Sequence, residues 1–148
     1  MPAEAICNWL TETPLGIAVR YGYWGYAIPQ TVHMLSMVLF SGAVILQDFR
    51  ALGLVRRPEL PELASQLAPV RWLGFAIAFL SGFALFASDA LRYYTNPAFR
   101  AKVVLLVLIG VNAAVCRAPK KLSAALSLLL WIGVIFASRW IAFEMTMP

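Results

Sequence analysis

The chain has 148 residues, of which 61% are hydrophobic and only 13% charged, and its mean hydropathy is +0.77. That balance leaves too little polar surface to cover a water-soluble globule, so the chain reads as a membrane protein. The net charge of +5 comes without a patterned basic face; it fits a topology signal and attraction to lipid headgroups, and no nucleic-acid partner is expected.

In chain order, the segment up to Gly25 mixes Trp9, Leu10, Ile17 and Val19 with Glu4, Asn8, Glu12 and Arg20, which makes it amphipathic rather than spanning. It lacks the basic start and the small-residue cleavage site of a signal peptide and is expected to be retained. A short interfacial helix is expected there, with Thr13 and Pro14 marking a helix start. Tyr21, Tyr23, Trp24 and Tyr26 would form an aromatic belt before the first span. The alternative role for this segment is a lid over a site near the same face.

Four apolar runs follow, at about 26–47, 70–88, 100–116 and 122–143, each long enough at ~1.5 Å per residue to cross a hydrocarbon core of about 30 Å. The expected fold class is all-α: an integral membrane four-helix bundle, one domain over 1–148, with a short N-terminal interfacial helix. The first connection, Asp48 to Pro69, holds Pro58 and Pro61 as well and reads as a loop with one helical turn. In the second, Asp89 to Phe99, Pro97 fits the first turn of the third span with Asn96 as its cap. The third, Arg117 to Lys121, is short and makes its two helices antiparallel neighbours.

Gly74, Ala78 and Gly82 recur at i, i+4 and i+8 in the second span, a register that lets a neighbouring helix or a flat ligand approach the backbone. Gly110, Ala113, Ala114 and Gly133 read as packing positions of the same kind.

Arg50, Arg56, Arg57 and Arg71 flank the first connection, and Arg117, Lys120 and Lys121 the third, whereas the N-terminal segment has Arg20 alone. The second connection, with Arg92, Arg100 and Lys102, weakens the contrast. The bias favours a multi-pass protein with both termini outside and the first and third connections in the cytoplasm; in a bacterial inner membrane that makes the termini periplasmic. Cys7 and Cys116 then fall on opposite sides of the membrane and cannot pair.

His33 is the single histidine, about six residues or ~9 Å inside the first span. Ionisable side chains at such depth read as functional. It can serve as an axial haem ligand, a copper or zinc ligand, a proton carrier, or a structural hydrogen bond between helices. Pro29, His33, Met37 and Phe40 share a helix face. Arg139, Arg100, Lys102 and Asp89 fall at a similar depth in the other spans.

A haem b needs a neutral imidazole, a small-residue face and cations for two propionates. His33, the Gly74/Ala78/Gly82 strip, and Arg139 with Lys102 supply candidates for each. Its second axial ligand would be an outer Met145 or Met147, or be absent, or come from another copy. Met34 and Met37, with Met145 and Met147, make copper the alternative, since thioethers suit Cu(I). Packing and snorkelling are the ordinary occupations of these methionines and cations.

The chain has no Walker loop, Gly-x-Ser-x-Gly, Cys-x-x-Cys or His-Glu-x-x-His, so acid-base hydrolysis is not expected and redox or ligand-binding roles remain.

A histidine in the first span, Gly42 nine residues on, then Asp48, Arg50, Leu52 and Gly53, with NPAFRAKVVLL opening the third span, resembles small four-helix bacterial membrane proteins related to HemJ-type protoporphyrinogen oxidases and CopD-type copper-resistance proteins. The resemblance covers about 26–143. It implies haem held by His33 and a functional lysine at Lys102. Gln47-Asp48-Phe49-Arg50 departs from that family's motif, and a further histidine is missing, so what the resemblance supports better is a distant relative within the same four-helix group, of the kind with no assigned reaction. The expected function is haem-linked electron transfer or porphyrin oxidation near the periplasmic face, with a quinone or redox protein as partner and a homo-oligomer or larger complex as assembly. The alternatives are a non-enzymatic structural or assembly subunit, and copper handling.

Overall fold

A computed structural model describes residues 2–55, 60–116 and 121–146. Among them the chain is all-α, without strands: α1 (Pro2–Thr11), α2 (Pro14–Tyr21), α3 (Ala27–Leu52), α4 (Leu60–Ser88), α5 (Ala90–Thr95), α6 (Pro97–Val115) and α7 (Lys121–Thr146). Among the described residues four helices are long and apolar enough to cross a membrane: Ala27–Leu52, Ala64–Ser88, Pro97–Val115 and Lys121–Glu144.

The pattern of burial is that of a membrane bundle. Bulky side chains such as Phe79, Leu80, Ile135 and Phe136 are exposed, while the covered positions are mainly small: Ala43, Ala78, Ala87, Ala124, Ser36, Ser81 and Ser127. Lipid leaves no hydrophobic drive to bring helices together, so close backbone approach through small residues takes its place.

Contacts divide the chain into two compact units, Met1–Phe40 with Pro69–Thr95, and Ser41–Ala68 with Asn96–Pro148. In the first unit the N-terminal segment is two helices rather than one. Thr13 caps α2, its hydroxyl accepting from Gly16 N at 3.3 Å, as Thr13-Pro14 implies. α1 packs on α5, and Thr11 Oγ1 accepts from the Ala90 backbone N–H at 3.3 Å. Tyr21, Tyr23, Trp24 and Tyr26 are all exposed, as an interfacial belt requires. The second connection contains a six-residue helix, α5, that its sequence does not signal.

In the second unit, α3 continues past Gln47 and ends at Gly53, the one described residue with positive φ (82°). Gly53 N donates to Arg50 O and Leu54 N to Phe49 O, both at 3.0 Å, the paired bonds of a Schellman stop, for which glycine is suited. The expected loop from Asp48 to Pro69 is therefore mostly helical. Pro61 sits in the first turn of α4, where its missing N–H costs nothing, and Pro69 lies inside that helix. Pro58 is outside the described residues.

Asn96 caps α6 as expected, its Oδ1 accepting from Phe99 N at 3.0 Å. α6 and α7 are antiparallel neighbours. Near one end Asn112 Nδ2 donates to Ser123 O and Ser123 Oγ to Asn112 Oδ1, both at 3.1 Å, and further along Gly133 rests against Leu105. Gly110, by contrast, faces open space, where a Cβ would meet nothing within 4 Å, and Ala113 and Ala114 are exposed; these three are not packing positions. Cys7 and Cys116 are both free thiols.

Candidate functional site

His33 stands on α3 about a turn and a half from its start and is half-buried. Its Nδ1 lies 2.9 Å from the carbonyl oxygen of Ala78 and 3.2 Å from Ser81 Oγ on α4. A carbonyl only accepts, so Nδ1 carries the proton. The Ser81 hydroxyl donates to Ile77 O at 2.6 Å and so can also accept from the ring. In the neutral imidazole this leaves the lone pair on Nε2, the arrangement found where a histidine is oriented to bind a metal.

The small-residue strip of α4 explains why the ring fits. A Cβ on Gly82 would lie 2.9 Å from His33 Cε1, and one on Gly74 would lie 3.0 Å from Phe40 N. Ala78, between them, supplies the carbonyl and is itself 4% exposed. α3 thus packs directly on Gly74 and Gly82, which accounts for both glycines without a flat ligand. Ser36, also buried, donates to the His33 carbonyl at 3.0 Å.

Met37 follows His33 by one turn on α3 and is half-buried. Lys102, half-buried on α6, and Arg139, exposed on α7, belong to the second unit. Arg139 lines a shallow surface hollow of α7 with Phe136, Trp140, Ala142 and Phe143. The side chain of Met145, and Met147 entirely, fall outside the described residues, so the expected outer methionine ligands do too. Among the described residues no group of three or more His, Cys, Asp or Glu side chains is placed to hold a metal ion.

For haem, the donor chemistry fits at His33: an imidazole oriented through Nδ1, whose Nε2 carries the lone pair in the neutral form. The Gly74/Gly82 strip is filled by α3, so a macrocycle held by Nε2 is not seated there.

Two polar arrangements in the second unit have no counterpart among the sequence-based expectations. Glu144 accepts from Asn96 Nδ2 at 2.7 Å and from Trp140 Nε1 at 2.8 Å, tying the end of α7 to the start of α6. Asp48 is buried on α3 and hydrogen-bonds the Ser127 side chain of α7. Asn96 and Glu144 are 48 residues apart, and no local spacing announces such a pair.

In the first unit, the Tyr26 and Tyr93 hydroxyls lie 3.4 Å apart. Burial, and then the neighbouring Tyr26 hydroxyl, push the Tyr93 phenol above its ordinary range.

Comparison with protein-family models, curated proteins and solved structures finds no match to this chain.

Proposed function

We propose that this chain is a multi-pass protein of a bacterial inner membrane that holds a b-type haem through His33 Nε2, with both termini periplasmic. The observation that carries this reading is the orientation of His33: Nδ1 donates to the Ala78 carbonyl, so that in the neutral ring Nε2 is the nitrogen left to bind iron. Bound haem supplies one-electron chemistry, which makes electron transfer with a quinone or redox protein, or porphyrin-linked oxidation, the activity. Lys102 and Arg139, the propionate cations expected from the sequence, belong to the second unit, and Met37 is a thioether on the ligand's own helix. The resemblance to HemJ-type proteins supports the same assignment.

The test is an absorption spectrum of detergent-purified protein, before and after haem supplementation. A Soret band is expected in the wild type and not in His33→Ala. Folded wild-type protein that stays colourless after supplementation overturns the reading.

A second reading has its own support. The fit of Gly74 and Gly82 to Phe40 and His33 favours His33 as a helix-to-helix tie, which is the role expected of it if the chain is a non-enzymatic subunit or assembly partner of a homo-oligomer or larger complex. Here His33→Ala lowers stability or association with no spectral change. Elemental analysis of the same preparation tests copper.

A further inference from the structure

Asp48 lies four residues before the end of α3, yet its side chain is only 8% exposed. It hydrogen-bonds Ser127, which is 5% exposed. Its Oδ2 is fully covered and meets no donor among the described residues. An ionised carboxylate can only accept, and burying one with an oxygen lacking a donor in an apolar helix pair is strongly unfavourable. A proton on the carboxyl removes the charge and most of that penalty.

Among the described residues, the charged groups at this end of the unit give Asp48 no counter-ion. Arg50 Nη1 donates to the Val55 carbonyl at 3.1 Å, and Glu62 of α4 and Lys121 of α7 are exposed. On α7, Ser123 and Trp131, one turn either side of Ser127, are uncharged, and Ser123 pairs with Asn112 of α6. Ser127 suits both charge states, because a hydroxyl donates to a carboxylate and accepts from an acid.

We propose that Asp48 is a proton-exchanging carboxyl of the membrane segment, resting as the neutral acid against Ser127 and cycling between COOH and COO⁻ plus a released H⁺. Nothing in this depends on haem at His33.

The probe is dicyclohexylcarbodiimide, which partitions into apolar surroundings. A protonated carboxyl adds its O–H across the C=N bond, and the adduct rearranges to a stable N-acylurea. Full-length protein in lipid vesicles is treated between about pH 5 and about pH 9, and peptides are read by mass spectrometry. Asp48 is expected to be modified at neutral pH at least about ten-fold more than exposed Glu62, with labelling declining towards alkaline pH. Asp48→Asn should abolish the adduct, and the wild-type profile decides the matter even where that variant folds poorly. Asp48 unlabelled throughout, labelled no more than Glu62, or labelled without pH dependence overturns the proposal.

Discussion

His33 Nδ1 sits 2.9 Å from the carbonyl oxygen of Ala78, and the same ring occupies the space that a side chain at position 82 would need. The acceptor is backbone, so no side-chain substitution at position 78 removes it. Access to it is governed by the missing side chain one turn further along α4.

Gly82→Ala is accordingly expected to displace the ring and destabilise the protein by about 1–3 kcal/mol, the usual range for overpacking. Gly42→Ala is the control: a Cβ there meets nothing within 4 Å, and alanine should be neutral or stabilising by up to about 1 kcal/mol through helix propensity. Thermal unfolding in detergent, followed by circular dichroism, separates the two. Equal effects would refute the close contact at Gly82.

Asn96 has two occupations, capping α6 through Oδ1 and donating to Glu144 through Nδ2. Asn96→Ala should cost about 1–3 kcal/mol, more than a cap alone, because a charged acceptor loses its donor. In a double-mutant cycle with Glu144→Ala the two losses should be clearly less than additive. Additive losses would mean that the pair is not formed in solution.

Tyr93 provides a pH dependence. Its folded-state pKa lies above the unfolded value, so the folded protein keeps a proton that the unfolded chain releases. The contribution is fully present below about pH 10 and is lost as the pH rises through the folded value. Tyr93→Phe should flatten the alkaline decline in melting temperature, and ultraviolet titration should show one tyrosinate forming late in the wild type. A variant whose alkaline decline matches the wild type removes this account.

The reciprocal bonds between Asn112 and Ser123 should give a coupling energy of about 0.6–1.7 kcal/mol, the range for hydrogen bonds between membrane helices. Asn112→Ala and Ser123→Ala with their double variant measure it. A coupling indistinguishable from zero would count against the reciprocal pair.

The spanning runs are legible in the sequence because an apolar stretch of ~20 residues has few other uses, and the Thr13 and Asn96 caps because capping chemistry is local. The end of α3 is not. Asp48 and Arg50 suggest a loop, but the helix runs on to the left-handed Gly53, and Asp48 turns inward to Ser127. Pro61 and Pro69 read as breakers, although one sits in a first turn and the other is accommodated within α4. Of the His33 environment, the small-residue strip follows from helical spacing. The Ala78 carbonyl does not, since every residue carries one and only the packing of α3 on α4 selects it.

The burial of Cys7 in α1, which packs on α5, has an experimental use. At 6% exposure this thiol should resist alkylation for as long as α1 remains docked, whereas Cys116, at the end of α6, is partly exposed. The unaltered protein therefore carries a built-in timer for detachment of its first helix. The rate at which Cys7 becomes reactive, with Cys116 as the internal standard, reports how often that helix lifts from the body beneath it.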